Sequence, residues 1–198
     1  MTADVKIMAD PVSNASCKFT VDRPLYPERS YYFGTIERAK GSPLAMRLFE
    51  IPNVATVLVS HDRVDVTKNG FDEWPMTARQ IGAAIRAHLA SGEPAVSEEL
   101  RATIPPAAVI RERVNEVLES RINPAVASHG GHVRLIDVQE NTVFIQMGGG
   151  CQGCGQANVT LKLGIEVEIR AAVPEVGDIL DSTDHASGRN PYYSASKK

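Results

Sequence analysis

The chain has few cysteines, no long apolar run and no excess of positive charge, and each absence removes a class of function. Three cysteines in 198 residues are too few, and odd in number, for the disulfide framework of a secreted domain. They fit a reducing compartment, so the cytoplasm is the expected location. No apolar stretch is long enough to span a bilayer, and no membrane partner is expected. The formal net charge is -3, spread over both halves, so no basic surface is offered to nucleic acid. Met1-Thr2-Ala3-Asp4-Val5-Lys6 carries acid early and no arginine precedes Arg23, which fits neither a secretory signal nor an Arg-rich transit peptide. What remains is an ordinary globular composition, 43% hydrophobic and 23% charged, with room for one large domain or two small ones.

Two small α+β domains are expected. The boundaries are 1–92 for the first, 93–108 for a Pro-containing linker, 109–185 for the second and 186–198 for a tail. The linker reading rests on Gly92-Glu93-Pro94 and Pro105-Pro106, polar and proline-marked. In the first half, Lys18–Val21 reads as a strand. Ser42-Pro43 opens a short helix to Phe49, with Ser42 as N-cap and Pro43 at the first helical position. Val54–Val59 and Val64–Thr67 read as a hairpin around His61-Asp62-Arg63. Ile81, Ile85 and Leu89 mark a helix from Thr77 that Gly92 stops. Cys17 has no thiol neighbour and is expected to be a half-buried strand residue. Trp74, His61 and His88 read as packing or surface groups, and no catalytic constellation is visible.

The second half opens with a helix whose apolar stripe is Ile110, Val114, Val117, Leu118 and Ile122, bent or restarted at Asn123-Pro124. His132–Val138 and Thr142–Met147 read as strands joined at Glu140-Asn141. Residues 157–173 satisfy two periods at once. Leu161, Leu163, Ile165, Val167 and Ile169 alternate as in a strand, while Leu161, Ile165, Ile169 and Ala172 line one helical face. Length favours helix; Gly164 and the β-branched residues weigh against it. Pro174 ends the stretch, and Ile179-Leu180 suggests a third strand.

The chemistry concentrates in Gly148-Gly149-Gly150-Cys151-Gln152-Gly153-Cys154-Gly155. Two residues between the thiols let both sulfurs converge on one small object, and the glycines clear side chains from its surroundings. Three chemistries fit. An iron–sulfur cluster usually takes four thiolates, and Cys17 cannot complete the set. Two copies of Cys151 and Cys154 across a two-fold axis can. A four-sulfur zinc site has the same ligand count. Thiol–disulfide exchange matches the spacing, but three preceding glycines and the lack of a βαβ lead-in do not suit it. His129-Gly130-Gly131-His132 reads as a tight turn with exposed imidazoles, and His185 as a surface residue.

These pieces in their order resemble a known family. Asn123-Pro124, His129-Gly130-Gly131, the Gly148–Cys154 loop, Val159-Thr160-Leu161-Lys162 and Gly164-Ile165-Glu166 are similar to the NifU C-terminal domain, the Nfu domain. Ser16–Phe19, Ser42-Pro43-Leu44-Ala45 with Leu48-Phe49, Val64–Thr67 and Trp74 resemble the Nfu N-terminal domain. The tail from Asp184 to Tyr193 is similar to the end of NfuA-type bacterial carriers, whose N-terminal domain differs. Gly155 departs from the proline or serine of many members. The resemblance implies a carrier, not an enzyme. It implies a [4Fe–4S] cluster shared by a homodimer through Cys151 and Cys154, received from an upstream scaffold and delivered to apo-proteins. It also implies that 157–172 is helical and that the first domain, without ligands, recognises partners or tunes transfer.

Overall fold

The computed structural model describes residues 5–27, 29–70, 73–128, 130–149 and 155–182. The chain forms two compact units, Met1–Ile104 and Pro105–Lys198. Both combine helices with sheet, the α+β class expected.

The first unit is a five-stranded antiparallel sheet with helices packed on it. Its strands are β1 (Ile7–Pro11), β2 (Ser16–Val21), β3 (Tyr31–Phe33), β4 (Val54–Val59) and β5 (Arg63–Lys68), in the order β1-β2-β5-β4-β3. The two-residue strand period lays two rows of buried side chains across the sheet, Cys17–Val66–Val57–Phe33 and Phe19–Val64–Val59–Tyr31. Helix α1 (Pro43–Phe49) begins as expected: Ser42 Oγ accepts the Ala45 N–H at 3.1 Å. Helix α2 (Trp74–Ser91) buries Ile81 and Ile85 and ends at Gly92. The Trp74 ring meets Phe19 edge-on, carries Lys68 Nζ 5.1 Å from its centroid, and donates its N–H to Ser13 O at 2.9 Å.

Two expectations change here. Cys17 is not half-buried but 1% exposed. It lies in an interior strand, covered at the edge by β1, and shares its face with Phe19 and Val21. Part of the segment read as a linker, 93–108, is packed. Ser42 Oγ also donates to Ala95 O at 2.6 Å, and the Ser97 N–H donates to Gly41 O at 2.8 Å. Ala95 and Val96 are thereby buried in the first core. Ser97 then caps α3 (Glu98–Ala102), and Leu100 and Ile104 pack against the same core. The division falls at the proline pair itself, between Ile104 and Pro105.

In the second unit, α4 (Ala107–Val117) passes through a π-helical turn (Leu118–Ile122) into α5 (Asn123–Ala127). The turn is where the expected bend at Asn123-Pro124 is absorbed. Pro124 cannot donate to the carbonyl of residue 120 and would press on it, so the preceding turn widens: the Asn123 N–H reaches back to Leu118 O. β6 (Gly131–Gln139) and β7 (Thr142–Gly149) form an antiparallel hairpin with a bulge between Leu135 and Asp137, turned at Glu140, whose φ is 53°. The ambiguous stretch is helix α6 (Gly155–Ala172), and β8 (Ile179–Asp181) pairs parallel with β7. Ile165 and Ile169 of α6 are buried, as are Ile110, Val114 and Ile122 of the first helix and Ile145 and Met147 of β7.

Candidate functional site

Cys151 and Cys154 lie outside the described residues, as do His129 and His185. The frame that carries the two thiols is described. Residues 150–154 connect the end of β7 at Gly149 to the start of α6 at Gly155. Three features within residues 123–132 gather at the β7 end of that connection.

The first is Asn123. Its side chain imitates a neighbouring strand: Nδ2 donates to Val133 O at 3.0 Å, and Oδ1 accepts the Val133 N–H at 2.7 Å. β6 is an edge strand, and Val133 is 2% exposed, so these backbone groups would otherwise be buried without partners. The second is the glycine pair. Gly130, at φ +66°, turns the chain out of α5 through a bond from its N–H to Ala127 O, and Gly131 opens β6 opposite Gly149. The third is His132, paired with Gly148. A Cβ at Gly148 would collide with the His132 imidazole, so the glycine there accommodates the ring. His132 is exposed, as expected of the turn, but its ring covers the strand that leads into the thiol loop.

On the other side of the loop stands the N-terminus of α6. A helix N-terminus presents unpaired N–H groups and a partial positive charge, which favour a thiolate over a thiol. The far end of α6 is anchored. Arg113 Nη2 donates to Ala172 O at 3.0 Å and Nη1 pairs with Glu175 at 3.1 Å, while Arg170 Nη1 donates to Val176 O at 2.9 Å. α4 is also tied to β6 through the Arg111–Asp137 ion pair; desolvation is the largest single influence on that carboxyl, but hydrogen bonds from Gln139, Arg111 and the Val138 N–H, with the Arg111 charge, together exceed it and hold its pKa below the usual value.

The described residues of the first unit offer no comparable constellation. Among the described residues no group of three or more His, Cys, Asp or Glu side chains is arranged to hold a metal ion. Burial pushes the Cys17 thiol up to about 11, with Asp10 and Asp65 adding to it and backbone hydrogen bonds partly opposing. His88 is 2% exposed inside α2, and its Nδ1 has no hydrogen-bond partner among the described residues. Burial first, then the charge of Arg47, lowers its pKa. His61 is exposed and Trp74 packs in the core.

Residues 114–180 match the NifU-like domain, and residues 6–92 match the N-terminal domain of the scaffold protein Nfu/NifU. The chain belongs to the Nfu/NifU family. Among its relatives is the Fe/S biogenesis protein NfuA of Stutzerimonas stutzeri strain A1501, 54% identical over 85 residues, 42% of this chain and 44% of that protein. NfuA of Pseudomonas savastanoi pv. phaseolicola is 53% identical over 88 residues, 42% of this chain and 45% of that protein. This Nfu/NifU chain thus spans less than half the length of the curated relatives it matches. The solution structure of a NifU-like protein from Saccharomyces cerevisiae aligns with 49% of this chain and 90% of its own, at 18% identity and a TM-score of 0.42.

Sequence reasoning passed over two of the residues that shape this site. Asn123 was legible only as a bend before proline. His132 was legible as a turn residue, although its place opposite Gly148 follows from counting back from the Glu140-Asn141 turn.

Proposed function

We propose that this chain is an iron–sulfur cluster carrier. Two copies hold one [4Fe–4S] cluster as cargo through Cys151 and Cys154 of each, and pass it to apo-proteins that need it. The observation that carries the reading is the gathering of Asn123, Gly130-Gly131 and His132 at the β7 end of a loop that bears two thiols and leads into a helix. Four thiolates are the usual complement of such a cluster, and one chain supplies two here. A cargo shared between subunits is released by exchange of thiolate ligands with the acceptor, and no change of redox state is required.

The relatives' name, Fe/S biogenesis protein, agrees with this role. The first unit, with its own core and a buried, inert thiol, serves recognition. It holds a client near the cluster and raises the effective concentration for transfer. A reducing cytoplasm, where such a carrier would work, suits the three sparse thiols. Among the described residues no helix is long and apolar enough to cross a membrane.

The test is anaerobic reconstitution of the full chain with iron and sulfide, followed by iron, sulfide and mass determination. The expected result is a brown dimer with one four-iron cluster per two chains. Cys151→Ser and Cys154→Ser should each stay colourless, and Cys17→Ser should bind as the parent does. Zinc retention with no colour, or a reversible Cys151–Cys154 disulfide with no cluster uptake, would overturn the carrier reading.

A further inference from the structure

Leu163 and Val167 of α6 are 54% and 64% exposed. They stand at i and i+4, one above the other on one face of the helix. The face opposite is the buried one, with Ile165 at 3% and Ile169 at 0%. Among residues 105–148 and 161–182 whose burial is described, the exposed large apolar side chains are Val109, Leu163 and Val167, so two of the three fall on this single stripe. Ala171, one turn further, is exposed and small.

We propose that this stripe is the contact between two copies of the chain when they share a cluster, with α6 of one running side by side and in the same direction as α6 of the other. The inference rests on the shared-cluster reading above. Cys154 immediately precedes Gly155, the first residue of α6, in the sequence. Bringing four thiolates to one cluster therefore brings two α6 N-termini together about a two-fold axis. Leu163 is eight residues along α6 from Gly155, about 12 Å at 1.5 Å per residue. Helices packed in this way have axes about 8–10 Å apart, a spacing that two thiolate loops on one cluster can bridge. An antiparallel pairing centred on the stripe would instead carry the two thiol loops to opposite ends, roughly 30 Å apart, and no cluster could be shared. In the parallel arrangement Leu163 meets Leu163 of the second copy, and Val167 meets Val167. Two side chains per copy fall far below the roughly 1,200 Å² of a stable interface, so the contact forms only once the cluster tethers the chains.

The experiment exploits the self-pairing. Full-length L163E and L163K are prepared, checked for fold by circular dichroism, reconstituted singly and as an equal mixture, and followed by native mass on dilution and by loss of visible absorption to a chelator. The expected result is unchanged fold and apo mass, and holo dimers of each single variant that lose cluster about ten-fold faster, since like charges meet across the axis. The mixture should recover toward wild-type persistence, because Glu then faces Lys. Equal persistence of both variants and the parent overturns the proposal, as does failure of the mixture to recover. Unfolding of both variants would show that the face is not free, and overturns it too. Unchanged dimers with altered transfer to an apo-client would assign the stripe to the client instead. A wild-type chain that carries a whole cluster as a monomer would sink the shared-cluster reading itself, a result visible before any variant is made.

Discussion

Replacing Asn123 by alanine removes the two hydrogen bonds that hold the free edge of β6 beside the thiol loop. The bonds to Val133 are 3.0 and 2.7 Å long, and Val133 is 2% exposed. Each buried backbone group left without a partner costs about 1–3 kcal/mol. Asn123 is itself half-buried, so water entering the gap would relieve part of this. A net loss of about 2–3 kcal/mol is expected, against about 1 kcal/mol for loss of a simple helix cap. For a unit of this size that corresponds to a fall of about 10–20 °C in melting temperature. The assay can assign the loss to the right unit. Trp74 is the chain's single tryptophan and is buried in the first core, so its fluorescence follows that core alone, while circular dichroism follows both. Asn123→Ala should lower one component of the dichroism transition and leave the tryptophan transition in place. Asn123 has helical dihedrals and its side chain caps nothing, so Asn123→Ser is a second test: it keeps a polar side chain that is too short to span both groups of Val133. If the serine variant is as stable as the parent, or if alanine costs less than about 0.5 kcal/mol, the clamp reasoning is wrong.

Two further outcomes follow from titratable groups in the first unit. With its pKa near 11, Cys17 should react with a thiol reagent at pH 8 about a hundred-fold more slowly than a free cysteine, and denaturation should add one reactive thiol per chain; rapid native labelling of Cys17 in a Cys151→Ser/Cys154→Ser chain would contradict this. His88 has a folded pKa below its unfolded value of about 6.5, so the unfolded state binds more protons there. Its contribution to stability is complete above that pH and is lost as the pH falls from it through the folded value. The tryptophan-monitored midpoint should therefore drop on acidification through this window, and drop less in His88→Gln; parallel slopes would refute the assignment.

Local signals were legible where one or two residues set the outcome. Ser42-Pro43 and Gly92 mark helix ends because capping is a matter of neighbouring atoms. α6 was not legible from periodicity, because Leu163 and Val167 are apolar yet exposed. They fill the positions that turn a helical pattern into an alternating one. β1 escaped notice because an edge strand with exposed Met8 carries no alternation. The packing of 93–104 depended on Ser42 reaching Ala95, a contact 53 residues apart in sequence. The thiol pair stood out from spacing alone. The Asn123 clamp on Val133 did not, since an amide side chain acting as a strand leaves no periodic trace.

The parallel pairing of β8 with β7 has a consequence for the order in which the protein is made. The loop with Cys151 and Cys154 lies between β7 and α6, and β8 joins the sheet only after residue 181 has been added. At typical ribosomal speeds of about 5–20 residues per second, the thiols are synthesised roughly 1.5–6 s before the strand that completes their sheet. During that interval α6 and β8 are still being added, although Asn123, Gly130-Gly131 and His132 are already in the chain. On the carrier reading proposed above, a nascent chain that stops short of residue 181 should take up iron and sulfide less well than one that includes β8.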